Sequence, residues 1–248
     1  MRVRIFSDAE AVAGALARYV ARCLGRIPAL VLGLPTGRTP IPLYRELARL
    51  NREGRVDFSR ATTFNLDEFI GVAPSDPRSY RAFMQRHLFD HINLPSRGIH
   101  FLKGDARDTA RECRRYERAI ARAGGIDLQI LGLGTNGHIG FNEPGPSLTA
   151  HTHRTRLTPA TRRANAGLFG GARTVPREAL SMGMATILCA RRVVLLATGA
   201  GKAGCVVHMI EGPVTTKLPA SFLQLHRNAE VWLDQAAAGR LDWGSRGR

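Results

Sequence analysis

Lysine is scarce in this chain. It stands only at Lys103, Lys202 and Lys217, so 33 of the 36 basic residues are arginine, and against 20 acidic residues the formal charge is +16. A charge of that size attracts polyanions in general, yet the arginines form no single stripe. Arg18, Arg22, Arg45, Arg49, Arg86 and Arg118 are scattered over several predicted helices without interleaved aromatics, which is a basic footprint with no reading element. A nucleic-acid partner is therefore not expected.

Cysteine is sparse as well. Cys23, Cys113, Cys189 and Cys205 fall at wide, irregular spacings that fit neither a CxxC metal knuckle nor a compact disulfide framework, so reduced structural thiols are expected. No set of His, Asp, Glu and Cys has metal-ligand spacing, and no metal is expected. No run of about eighteen uncharged apolar residues exists, which argues against a membrane span. Asp8, Glu10 and Arg18 interrupt the opening segment, which excludes a signal peptide and points to a soluble, cytoplasmic protein. Repeats and low-complexity tracts are also missing.

What is present is a chain of 248 residues, 44% of them hydrophobic, enough to bury a full core within one large domain and a tight fit for two. Short apolar runs rich in Val, Leu, Ile, Phe and Thr alternate with amphipathic segments, the pattern of parallel strands joined by crossover helices. Strands are predicted at 29–34, 61–66, 99–102, 127–133, 193–198 and 229–234. Helices are predicted from a capping box at Ser7 to Gly25, and at 41–53, 79–91, 106–123 and 202–210. The expected fold is α/β: one doubly wound, mostly parallel, Rossmann-like sheet with helices on both faces, forming a single domain over residues 1–248. Residues 149–177, dense in His, Thr and Arg, read as a mobile segment over the site, and residues from about 236 to 248 as a frayed tail.

In open α/β sheets ligands sit beyond the carboxyl ends of the strands. Four such places carry chemistry. Thr36, Gly37, Arg38 and Thr39 lead through Pro40 into a helix whose free amides suit an anion, although such a turn is also an ordinary connection. Asp67 and Glu68 follow the 61–66 strand, and one of them can face a pocket; alone, Asp67 would as readily cap a turn. In GLGTNGHIGFNEPG, residues 132–145, three glycines surround His138, and Glu143 stands five residues on, close enough to orient the ring for acid/base work. His151 and His153 could approach only if their segment folds over the site. Finally, TGAGK places Lys202 in a glycine-rich turn that opens a helix. The GxxxxGK[ST] spacing is missing and Ala203 stands where Ser or Thr should be, so nucleotide hydrolysis is disfavoured, while a lysine beside a helix start suits a sugar phosphate of about −1.5 to −2 charge.

Taken together, LGLPTGRTP, TTFNLDEF, DPRSYRAFM, GLGTNGHIGFNEPG, ALSMGMATIL, LLATGAGKA and FLQLH occur here in an order that resembles the glucosamine-6-phosphate deaminase family, from about residue 30 to 234. The resemblance implies the doubly wound α/β fold and the conversion of glucosamine 6-phosphate and water to fructose 6-phosphate and ammonia in amino-sugar catabolism, a hydrolase/isomerase reaction with a small-molecule substrate and no cofactor. It implies that His138, held by Glu143 and completed by Asn136, opens the sugar ring, and that Asp67 shuttles a proton between C2 and C1. Two positions depart from the family pattern. Relatives usually carry a small residue at position 38 and an arginine at 167, where this chain has Arg38 and Gly167, so Arg38 is expected to reach the phosphate instead. His153 and Thr155 replace the basic residues of allosteric relatives, which implies a monomer or small homo-oligomer. The alternatives are a 6-phosphogluconolactonase-like hydrolase, which the family resembles around NGH, and a non-catalytic sugar-phosphate sensor.

Overall fold

The sequence begins with alternating charged and apolar residues that pair along the margin of a sheet. In the computed structural model, which describes residues 1–242, Arg2–Phe6 form β1 and Ala9–Arg26 form α1. The helix is capped by Asp8, whose carboxylate accepts the Ala11 amide at 2.8 Å while Ser7 donates to that carboxylate. The cap thus lies one residue later than the capping box implies, because a carboxylate is the stronger acceptor for free helix amides.

The alternation then continues: β2 (Val31–Leu34), α2 (Ile41–Arg52), β3 (Thr62–Asn65), β4 (Asp67–Phe69), α3 (Tyr80–His87), β5 (Ile99–His100), α4 (Thr109–Arg122), β6 (Leu128–Gly132), β7 (His153–Arg156), α5 (Pro159–Ala164), α6 (Ala166–Phe169), β8 (Glu178–Ser181), α7 (Met184–Leu188), β9 (Val193–Ala197), α8 (Ala203–Glu211), β10 (Ala229–Asp234) and α9 (Gln235–Ala238). Seven strands form one sheet in the order β1-β10-β9-β6-β2-β3-β5, and every pairing in it is parallel. This is the doubly wound α/β sheet expected from the sequence.

Both faces are buried, as a parallel sheet requires. In β9, Val193 and Leu195 face the side covered by Tyr116, Met184 and Val206, whereas Val194 and Leu196 face the side covered by Leu16, Leu43 and Phe83. The continuous apolar run VVLLA is the sequence expression of that two-sided burial. From β2 the chain moves outward through β3 and β5, then returns to β6 on the opposite flank. The loops after β2 and β6 therefore diverge, and the crevice between them is the place where a doubly wound sheet binds ligands.

Beyond the expected sheet there is a second one of three antiparallel strands, β4-β8-β7. It shelters an aromatic cluster of Phe69, Tyr80, Phe141 and Phe169. Periodicity could not reveal it, since its strands are three or four residues long and pair across large sequence separations. Residues 149–177 hold β7, α5 and α6. Of the tail expected to fray from 236, residues 236–238 complete α9, with Ala237 and Ala238 buried and Asp234 accepting the Ala237 amide at 2.7 Å. Residues 243–248, which complete that expected tail, lie outside the described residues.

Candidate active site

The crevice at the sheet reversal is a cleft of about 680 Å³ bordered by Thr36–Thr39 residues of the β2–α2 loop, by Asp67, by the 132–138 loop and by Lys202. All of the expected site residues lie on it except Glu143, which stands behind His138. The strands deliver them from four separate positions in the chain, as the sheet order requires.

The loop after β6 shapes the acid/base end. Gly134 is needed because the His138 ring lies against it: a Cβ there would fall 2.4 Å from the imidazole Cε1. Gly137 takes a φ of 87°, a left-handed conformation that disfavours side chains. The Asn136 amide group bridges the loop, with Nδ2 donating to Glu143 Oε2 at 2.8 Å and Oδ1 accepting the His138 amide at 3.3 Å. His138 Nδ1 lies 3.5 Å from Glu143 Oε2, an ion-pair distance at which the buried nitrogen has no well-directed hydrogen bond.

Glu143 is itself tightly held. Thr161 donates its hydroxyl to Oε1, and the Thr158 hydroxyl approaches the same oxygen at 3.3 Å. Burial alone would raise the Glu143 pKa, but His138, Thr161 and Asn136 together lower it to about 2. A fixed anion thus stands behind the imidazole. Thr158 and Thr161 were not singled out from the sequence; their segment has weak periodicity, and only the fold carries it back over Glu143.

Asp67 opens β4 with 6% of its surface exposed, and its Oδ1 is buried without a partner. Burial and the neighbouring Glu68 raise its pKa to about 8. Strand alternation turns Glu68 the other way, onto the start of α3, where it accepts the amides of Tyr80 at 3.0 Å and Arg81 at 3.1 Å. Burial lifts Glu68 to about 7 despite those bonds. Of the two adjacent carboxylates, Asp67 belongs to the cleft and Glu68 to the scaffold. The second sheet fixes Asp67 against the histidine loop: Asp67 is in register with Ser181, and the Ser181 hydroxyl accepts the Phe141 amide at 2.9 Å.

The cleft also carries cationic groups. The helix that follows Thr36–Thr39 does not offer the free amides expected of it, because Pro40 and Pro42 lack an N–H and the Ile41 amide donates to the Arg38 carbonyl at 3.2 Å; Lys202, from the turn before α8, donates Nζ to the Leu133 carbonyl at 2.7 Å. Burial lowers the Lys202 pKa. Asp234 steadies that turn by accepting the Gly199 amide at 2.9 Å. Arg38 crosses toward α6, such that a Cβ on Gly167 would lie 3.8 Å from its Nη2. Tyr80 and Asn165 also line the cleft; nothing in the local pattern marks either, beyond the DPRSYRAFM string. His151 and His153 border a different groove, between α4 and β7, and do not approach the site.

Among the described residues no group of three or more His, Cys, Asp or Glu side chains is placed to hold a metal ion. No helix there is long and apolar enough to cross a membrane.

The chain is similar in sequence and in fold to known proteins. Glucosamine-6-phosphate deaminase of Hahella chejuensis is 50% identical over 98% of this chain and 92% of its own length. The enzyme of the same name from Thermoanaerobacter sp. (strain X514) is 45% identical over 97% of this chain and 95% of its own. A solved monomeric glucosamine-6-phosphate deaminase superposes with a TM-score of 0.94 at 41% identity, covering 97% of this chain and all of that one. The 6-phosphogluconolactonase of Thermotoga maritima shares the fold, with a TM-score of 0.73 at 22% identity over 94% of this chain and 98% of its own. With residues 7–232 matching the model of the glucosamine-6-phosphate isomerases and 6-phosphogluconolactonases, the chain belongs to that family.

Proposed function

We propose that this protein is a glucosamine-6-phosphate deaminase, converting glucosamine 6-phosphate and water to fructose 6-phosphate and ammonia in the cytoplasmic breakdown of amino sugars. The observation that carries the reading is the presence of two proton-handling groups on one cleft: a buried Asp67 carboxyl with its pKa raised to about 8 and a His138 ring backed by ionised Glu143.

The chemistry follows from those groups. His138, backed by the Glu143 carboxylate, moves the proton that opens the pyranose ring. Asp67 takes the proton from C2 and returns it to C1 through an enol-type amine; a carboxyl whose two forms are close in energy near neutral pH exchanges a proton cheaply in both directions. The resulting imine at C2 adds water and expels ammonia. Water is consumed, yet the carbon skeleton undergoes an isomerisation with deamination, and each step moves protons without a net oxidation. The proposal therefore calls for no redox cofactor or metal. Thr36, Gly37, Arg38, Thr39 and Lys202 would hold the phosphate, with Arg38 reaching it from the loop beside Gly167. We also propose that the chain acts as a monomer or small homo-oligomer.

A lactonase has no use for a carboxyl poised to shuttle a proton between carbons, and a sensor has no use for the Glu143–His138 pair. The test is incubation with glucosamine 6-phosphate, measuring fructose 6-phosphate and ammonia together, with 6-phosphogluconolactone in parallel. Equal release of both products supports the proposal. Lactone hydrolysis alone, or binding without turnover, overturns it.

A further inference from the structure

Tyr80 lines the cleft. It is the first residue of α3, 6% exposed, and its amide is fixed by Glu68. Its ring packs 4.7 Å from that of Phe69 and 6.0 Å from that of Phe141, while Thr36 and Asp67 lie near its hydroxyl. That hydroxyl donates to Asn165 Oδ1 at 3.1 Å. Asn165 joins α5 to α6 and donates Nδ2 to the Thr161 carbonyl at 2.9 Å. Thr161 donates its hydroxyl to Glu143, which backs His138. A hydrogen-bonded path therefore runs from the rigid start of α3, through the helical segment over the cleft, to the acid/base pair.

We infer that the Tyr80 hydroxyl is a positioning group for Glu143 and His138, acting through Asn165 and Thr161; this rests on the function proposed above. The Tyr80–Asn165 and Thr161–Glu143 bonds tie the α5–α6 segment to the body of the protein. Losing the Tyr80 bond frees Asn165 and lets Thr161 drift from Glu143, so the imidazole loses its fixed orientation while neither Glu143 nor His138 has been altered. A misplacement of that kind slows a reaction without weakening ground-state binding in proportion.

The test compares the wild-type protein with Tyr80→Phe, Thr161→Val and the double variant, by steady-state kinetics on glucosamine 6-phosphate and by amide hydrogen exchange over residues 158–169. Each single change is expected to lower kcat about tenfold with KM altered less than about twofold, and the double variant to be no slower than about threefold below the slower single. Exchange in the segment is expected to quicken in Tyr80→Phe. Unchanged kcat in that variant, a rise in KM at constant kcat, or multiplying losses in the double variant would each overturn the inference. An inactive wild-type protein would count against the proposed function, and the exchange measurement would still decide this inference: unchanged exchange in Tyr80→Phe overturns it whatever the activity.

Discussion

Asp67 and Glu68 are adjacent on β4 and serve opposite faces: Asp67 lines the cleft, and Glu68 accepts the first amides of α3. The raised pKa of each has burial as its main cause, and Glu68 adds to the shift of Asp67. Their division of labour leaves a buried carboxyl on the cleft and anchors the helix that carries Tyr80.

For Asp67 the proposed role predicts that kcat/KM rises with pH through about 8, since the ionised carboxyl takes the C2 proton. Asp67→Asn should lower kcat by roughly 10²–10⁴. Its stability effect has the opposite sense. The folded chain binds this proton more tightly than the unfolded chain, so stability falls as pH climbs from about 4 to about 8. The variant should therefore gain Tm over the wild type at pH 9 and much less at pH 5. Thermal unfolding at the two pH values checks the sign.

Glu68→Gln keeps an acceptor oxygen for the Tyr80 amide, puts an NH2 group opposite the Arg81 amide and removes the charge beside Asp67. The rising limb of kcat/KM should move to lower pH, with a smaller loss of stability than full truncation. Glu68→Ala leaves buried amides unpaired at a cost of about 1–3 kcal/mol, about 2–4 °C in Tm per kcal/mol for a chain of this size. Rate profiles and melting curves distinguish the two effects.

Glu143→Gln should preserve the contacts of Thr158 and Thr161 in part and lose the fixed anion behind His138. A fall in kcat of about 10² is expected, with KM little changed. Because Glu143 remains ionised down to about pH 2, any activity limb seen between pH 5 and 9 should persist in this variant. Its disappearance would assign that limb to Glu143.

Gly134→Ala places a methyl 2.4 Å from the His138 ring, which must swing away. Activity should fall by at least about tenfold while far-ultraviolet circular dichroism is unchanged. Gly167→Ala, by contrast, adds a methyl at ordinary contact distance, 3.8 Å from Arg38, and should be close to neutral in both stability and turnover.

Arg38→Ala tests the phosphate end. A hydrogen bond to a charged group is worth about 1.5 kcal/mol or more, so kcat/KM for glucosamine 6-phosphate should drop at least about tenfold. A change well under that would place the guanidinium outside phosphate binding. Adding Gly167→Arg to Arg38→Ala should restore part of the loss, because the Arg38 guanidinium ends beside Gly167 on the same cleft.

The sequence by itself determined the layered α/β fold, since apolar runs such as VVLLA must be buried on both faces and amphipathic helices must cover them. It also determined the loop chemistry that is local in the chain: the glycines that admit His138, the nearby Glu143, the turn leading into α2 and Lys202 before α8. Tertiary structure alone decided the rest. The β4-β8-β7 sheet registers Asp67 against Ser181 and, through Phe141, against the histidine loop, yet its strands are too short to show a period. Which of two adjacent carboxylates faces the cleft, which threonines hold Glu143 and which residue meets the Tyr80 hydroxyl depend on segments separated by up to 114 positions, as in the pairing of Asp67 with Ser181. Local patterning specifies burial and turns, but long-range pairing sets the geometry in which protons move.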